Sequence, residues 1–356
     1  WSYDSIQVYT RNPDHWLAGL FHYDEVQYRI VPEMNARIEL WEQGLLDILK
    51  PDANTLEIYL SDPRLVNYGS TTVYHIDINA ENPNNPLCGS DNYRKAIYHA
   101  IDRELIADRF FGHMQPAGWY VSEQAGLFSA GGLTYRDSQY GNEVETMVAS
   151  WSENGHSTGY NEDLALDYFN KACEECGVEP EEVITIIAAF DASETNWKLT
   201  FEFLKDELPR IFNNRVQVEI RNYSGISTTA YKQQGVDGWD LSPNGWSRSV
   251  SRIYPYQCFY YFLSTYSNSP NNYFNKDFED QFAYCDSIKA GDYDTLLAET
   301  KKLEELYLEH VIQCPVVQER VYELHSDKLV LPVVTYVPGI GWGAAYGDKL
   351  TSSEIN

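Results

Sequence analysis

The chain has 356 residues, 26 Lys and Arg against 53 Asp and Glu, and a formal charge of −27 at pH 7. Such an excess of negative charge excludes a nucleic-acid partner, because phosphate contacts need concentrated positive charge. The longest apolar run, residues 183–190, is far short of the roughly 20 residues of a membrane span, and the length suits two lobes rather than one core.

Residues 6–10 alternate like a strand and break at Asn12 and Pro13; residues 23–31 read as a second strand. Pro32 opens a helix in which Met34, Ile38, Trp41 and Leu45 form one stripe. Residues 56–60 and 73–78 read as further strands. A loop rich in Asn and Pro then leads into residues 86–111. There Tyr93, Ala96, Ile97, Ala100, Ile101 and Leu105 recur at helical spacing, leaving Arg94, Lys95 and His99 wet. Asp91 is the predicted cap, and Asp102 starts a fresh helix.

Residues 112–159 lose periodicity among Gly, Ser and aromatic residues, as a functional or core-covering wrap does. Asn161 then caps a helix running to Cys176, closed by Gly177. Residues 183–190 form a buried strand, Ser193 caps a helix to residue 212, and residues 216–221 form a strand; this order predicts a parallel pair with a right-handed crossover. Residues 238–246 are a short strand leading to a loop. Helices follow over residues 276–289 and 292–310, and residues 316–323 form a strand after Pro315.

Catalytic patterns are weak. The histidines are dispersed with no H-E-x-x-H, and the G-x-G-x-G at residues 339–343 lies in a Gly/Pro turn. Of the six cysteines only Cys173 and Cys176 form a C-x-x-C, which reads as buried apolar cysteine rather than a metal or redox site. No cofactor is called for. Aromatic residues are 14% of the chain and cluster at Trp239, Trp246, Tyr254, Tyr256 and 259–262. Rings with a polar edge suit a cleft for peptides or sugars, although core packing is the plainer reading for Trp239 and residues 260–262.

Several segments in order carry a resemblance: R-N-P-D-H-W (11–16), Y-R-I-V-P-x-x-N-A-R (28–37), Q-G-L-L-D-I (43–48), N-P-L (85–87) with Y-R-K-A-I-x-x-A-I-D-R-E-L-I (93–106), Gly245-Trp246, and S-N-S-P-N-N (267–272). Together they resemble the family 5 extracellular solute-binding proteins, receptors of ABC importers. The resemblance implies an α/β, periplasmic-binding-protein-like (type II, cluster C) fold of two lobes with an incomplete first lobe. Family members carry a large segment before R-N-P-D-x-W, so the chain is expected to begin inside that lobe, without the export signal. Residues 1–75 would belong to lobe I, 76–317 to lobe II and 318–356 to the return to lobe I, with hinges near residues 73–79 and 316–323.

The same resemblance implies a non-enzymatic, extracytoplasmic receptor, periplasmic or a cell-surface lipoprotein, that takes oligopeptides in an interlobe cleft and passes them to an ABC permease. Oligosaccharide is the second choice, nickel or haem the third, and a secreted carbohydrate-active enzyme the alternative of another class. Peptide-binding relatives follow the G-W tryptophan with an Asp that pairs with the peptide amino group; here Ser247, Arg248 and Ser249 stand in its place, and Arg248 or Arg252 could attract a carboxylate. The expected ligand-binding set is Trp246, Ser247, Arg248, Ser249, Tyr254, Tyr256 and Gln318, with Val317 and Glu319 adjacent. Asp240, in the strand before the G-W, is read as structural.

Overall fold

The computed structural model describes residues 6–16, 18–20, 22–112, 114–123, 134–247, 254–266 and 273–330, and short strands at 336–337, 341–342 and 348–349. The chain forms two compact units, Trp1–Gly69 with Arg320–Asn356, and Ser70–Glu319.

In the smaller unit β1 (Ile6–Thr10) and β2 (Glu25–Arg29) pair antiparallel, followed by α1 (Met34–Glu42), β3 (Ile48–Leu49) and α2 (Ala53–Tyr59). Trp41, Leu49 and Leu324 make its small core. The predicted stripe along α1 is shorter than its spacing implied. The chain turns at Gly44, φ +69°, so Leu45 leaves the helix and is 51% exposed. Residues 56–59 are helical rather than extended and Leu60 closes the helix, because Asp52 caps α2 by accepting from the Thr55 amide at 2.8 Å.

The longest strand, β4 (Leu65–Ile78), leads into the larger unit. There α3 (Asp91–Ala100) and α4 (Arg103–Phe110) precede the short β5 (Gln115–Pro116). Then come α5 (Gln139–Trp151), α6 (Glu162–Cys176), β6 (Ile184–Asp191), α7 (Thr195–Ile211), β7 (Val216–Tyr223) and α8 (Thr228–Gln234). β8 (Leu241–Ser247), α9 (Lys276–Ser287), α10 (Tyr293–Glu309) and β9 (Cys314–His325) complete it. Strand order is β9-β4-β8-β6-β7, with β5 on β9. β6 and β7 are parallel from Ile184↔Val216, as strand-helix-strand predicted, and β8 runs antiparallel to β4 from Leu241↔Ile78 to Ser247↔Thr72.

The helix α3 is buried on almost every side, which corrects the expectation that Arg94 and His99 stay wet. Arg94 is fully buried, its guanidinium donating to the carbonyls of Ile78, His310, Val311 and Ile312 and lying 4.1 Å over the Tyr273 ring. Those carbonyls end β4 and α10, where backbone acceptors have no helical or ladder partner. Burial draws His99 down to about 4, opposed by its bond to the Gly159 carbonyl at 2.7 Å. Ser90, not Asp91, caps α3 by accepting from the Tyr93 amide; Asp91 instead receives Tyr273 Oη and His310 Nδ1.

Asp102, Asn161 and Gly177 act as predicted: the two side chains accept from the amides of Leu105 and Leu164, and Gly177 sits at φ +68°. Ser193 does not cap α7 but turns to Asp191. α5 lies inside the stretch read as aperiodic; Ser138 caps it, and its buried residues are Gly141, Val144 and Val148. Of the six cysteines five are buried and Cys176 is half-buried. Among the described residues no helix is long and apolar enough to cross a membrane.

Candidate functional site

The end of β8 is where the expected site begins. Asn244 sits opposite His75, Gly245 opposite Tyr74, and Trp246 opposite Val73. Glycine is required at 245, since a Cβ there would meet the Tyr74 ring at 2.6 Å. The half-buried Trp246 ring stacks on Tyr261, centroids 4.5 Å apart and planes at 10°, while Tyr266 meets it edge-on at 5.9 Å. Tyr261 Oη donates to the Ser247 carbonyl at 2.9 Å, closing the cluster. Among the described residues Trp246 Nε1 has no hydrogen-bond partner.

Ser247 is exposed, and its hydroxyl meets Thr72 Oγ1 at 2.6 Å; Thr72 in turn meets Ser70 Oγ at 3.2 Å. Gln318 is buried on β9 opposite Gln115; its Oε1 accepts from the Glu123 amide at 3.2 Å, and its Nε2 has no partner among the described residues. The contacts Asp77–Gln313 and Tyr68–Glu323 run in opposite senses along the neighbouring strands β4 and β9. Counting along them brings Gln318 level with Thr72 and Val73, so Trp246, Ser247 and Gln318 occupy one level of three adjacent strands.

Tyr254 and Tyr256 turn elsewhere. Tyr256 is buried, donates to Asp286 Oδ1 at 2.7 Å and packs edge-on to Phe282, both on α9; Tyr254 lies beside it with centroids 6.2 Å apart. With Lys289 and Tyr293 they line a small cavity against the α9–α10 connection. Arg248, Ser249 and Arg252 lie outside the described residues.

Asp240 is structural, as its strand position implied. Oδ2 accepts from the Ile187 amide and Oδ1 from Asn82, both at 2.6 Å, while burial raises its pKa against those donors. Trp239 and residues 261–262 are buried, in line with core packing.

Sequence reasoning missed the group beneath Trp246. On the same face of β4, Asp77 is fully buried and accepts from Lys232 Nζ at 2.5 Å, from Asn244 Nδ2 at 3.1 Å and from Gln313 Nε2, with His75 Nε2 3.4 Å away. Burial alone would raise this carboxyl, but the Lys232 charge and the His75 contact hold it at about 2. The signal was present: in Y-H-I-D-I, His75 and Asp77 alternate onto one face of an otherwise apolar strand.

Asp102, Glu104 and His156 place ligand atoms within 4.8 Å of one another. Glu104 already accepts from the Ser157 amide, Thr158 Oγ1 and His156 Nδ1, so the trio ties the segment after α5 to the start of α4. Those donors hold Glu104 at about 2 although burial opposes them.

The family model for bacterial extracellular solute-binding proteins, family 5 Middle, matches residues 1–269. A search of curated proteins finds no match. Among solved structures, an oligopeptide ABC transporter substrate-binding domain from Bacillus anthracis is 19% identical with a TM-score of 0.67, covering 99% of this chain and 64% of its own. OppA of Listeria monocytogenes bound to peptide is 18% identical with a TM-score of 0.65, covering 98% and 62%. A putative peptide-binding protein AppA from Clostridium difficile is 14% identical with a TM-score of 0.74, covering 98% and 66%. The chain thus spans somewhat under two thirds of the length of the first two.

The architecture is the periplasmic-binding-protein-like type II fold, of which this chain forms part. The chain belongs to family 5 of the bacterial extracellular solute-binding proteins.

Proposed function

We propose that this chain is the solute-binding part of an extracytoplasmic ABC-importer receptor, holding an oligopeptide at the Trp246 end of β8 for delivery, chemically unchanged, to a membrane permease. The observation that carries this is the half-buried Trp246–Tyr261 stack beside the exposed Ser247. A flat ring offers contact area at low entropy cost. Solved relatives include OppA of Listeria monocytogenes bound to peptide. Ser247 and Gln318 complete the proposed contact set, with Arg248 and Ser249 following in sequence; Tyr254 and Tyr256, turned toward α9, stand outside it.

Oligosaccharide is the second reading, favoured by one feature: no carboxylate occurs from Leu241 to Asn275, so the G-W segment itself offers no acidic partner to a peptide amino group. Thermal-shift titration with random tri- to heptapeptide pools and with oligosaccharides separates the two. A true ligand raises the melting temperature in proportion to the logarithm of its concentration. Stabilisation by peptides, recovered intact by mass spectrometry, is the expected result; stabilisation by sugars alone, or recovery of cleaved products, overturns it. Trp246→Ala should weaken peptide affinity by about tenfold or more, with the far-UV circular dichroism unchanged.

A further inference from the structure

The Asp77 network reaches Trp246 through one side chain. Asn244 is held at both ends: its Nδ2 donates to Asp77 Oδ2 at 3.1 Å, and its Oδ1 accepts from the Gly245 amide at 2.9 Å. Lys232 grips the preceding residue as well, donating to the Pro243 carbonyl at 3.1 Å while it pairs with Asp77. Two consecutive residues of β8 are therefore fastened to a buried ion pair immediately before Gly245 and Trp246. The other side is closed by Tyr74, whose ring fills the space a Cβ at Gly245 would occupy. Phe262, next to the Tyr261 that stacks on Trp246, meets His75 edge-on at 6.2 Å, so the layer over the indole rests on the same network.

We infer that Asn244, fastened to the Asp77–Lys232 pair, is a positioning residue for Trp246: it fixes the backbone from which the indole projects, and so the geometry of ligand contact. This rests on the proposed receptor function, because it assigns Asn244 its value through Trp246. Asn244 is not a ligand contact in this account; it acts through the peptide plane at Gly245.

The test reads indole placement and binding separately. The chain has nine tryptophans, so 5-fluorotryptophan labelling gives a fluorine spectrum in which Trp246 is assigned by Trp246→Phe. Asn244→Ala should shift or split the Trp246 resonance while leaving the others in place, and should weaken peptide-pool affinity by about tenfold. The doubly neutral Asp77→Asn/Lys232→Met chain, which avoids an unpaired buried charge, should move the same resonance. Thr200→Val, which removes a hydroxyl bonded to the Asn196 carbonyl within α7, is the control for general destabilisation and should leave it unmoved. A Trp246 resonance that stays put in both network variants, or moves equally in the control, overturns the inference. If no peptide binds the wild-type chain, the receptor reading fails, while the spectrum still decides whether Asn244 places the indole.

Discussion

Lys232→Met should cost about 3 to 5 kcal/mol of stability at neutral pH, the scale of breaking a buried ion pair from one side. The side chains of Asp77 and Lys232 are both 0% exposed, so the variant leaves a carboxylate in the interior with only Asn244, Gln313 and His75 facing it. Asp77→Asn added to Lys232→Met removes the stranded charge and should restore most of the loss. Urea unfolding at constant slope measures all three chains.

The pH dependence gives a second check. In the native chain Asp77 is held at about 2, below its unfolded value, so its contribution is full above about pH 4 and disappears as pH falls toward 2. In Lys232→Met that depression is lost. The gap between variant and wild type should therefore be widest near neutrality and narrow as acid protonates Asp77. A gap that widens on acidification, or a variant within 1 kcal/mol of wild type at pH 7, would show that the pair is not the main counter-charge.

Arg94→Met should be comparably severe, about 3 to 5 kcal/mol, for a different reason. The guanidinium satisfies carbonyls at the ends of two elements, the last residue of β4 and the exit of α10. Methionine fills much of the volume but takes the donor away from the Ile78, His310 and Val311 carbonyls, each loss costing upward of about 1 kcal/mol. Arg94→Lys should recover only part of the loss, because one ammonium cannot span four carbonyls that a planar fork reaches. Full rescue by lysine would mean that charge, not fork geometry, holds this junction. Equilibrium unfolding, with hydrogen exchange at the residue 310–312 turn, reads the difference.

The sequence showed the scaffold better than its polar interior. Periodicity placed α3, α6, α7, β6 and β7 because their buried residues are mostly apolar and fall at regular intervals. It failed where a polar contact outweighs local pattern. Arg94 and His99 are polar by composition but sit on a helix enclosed on almost every side, and no spacing rule shows that their partners include carbonyls more than 50 residues away. L-E-I-Y-L alternates like a strand, yet the cap at Asp52, four residues upstream, starts a helix. α5 was missed because Gly141 and a string of polar residues dilute its stripe.

At the candidate site, the G-W pair points to the end of β8 and the position after Pro315 points to Gln318; strand pairing adds that Gln318, 72 residues beyond Trp246, reaches the same level through β4. Tyr254 and Tyr256 belong to the same cluster of polar-edged rings in the sequence as Trp246, but not to its cluster in the fold. The three-residue step from Tyr254 to Gln257, where the side-chain amide of Gln257 accepts from the Tyr254 backbone, turns that segment toward α9.

The buried cysteines bear on how the protein can be handled. Burial pushes the Cys285 and Cys314 thiols up to about 12 and Cys88 well above its ordinary value, so at neutral pH all three stay protonated and sluggish toward oxidants. These three thiols should therefore resist a thiol-labelling reagent in the folded chain at neutral pH and react only once the chain is unfolded.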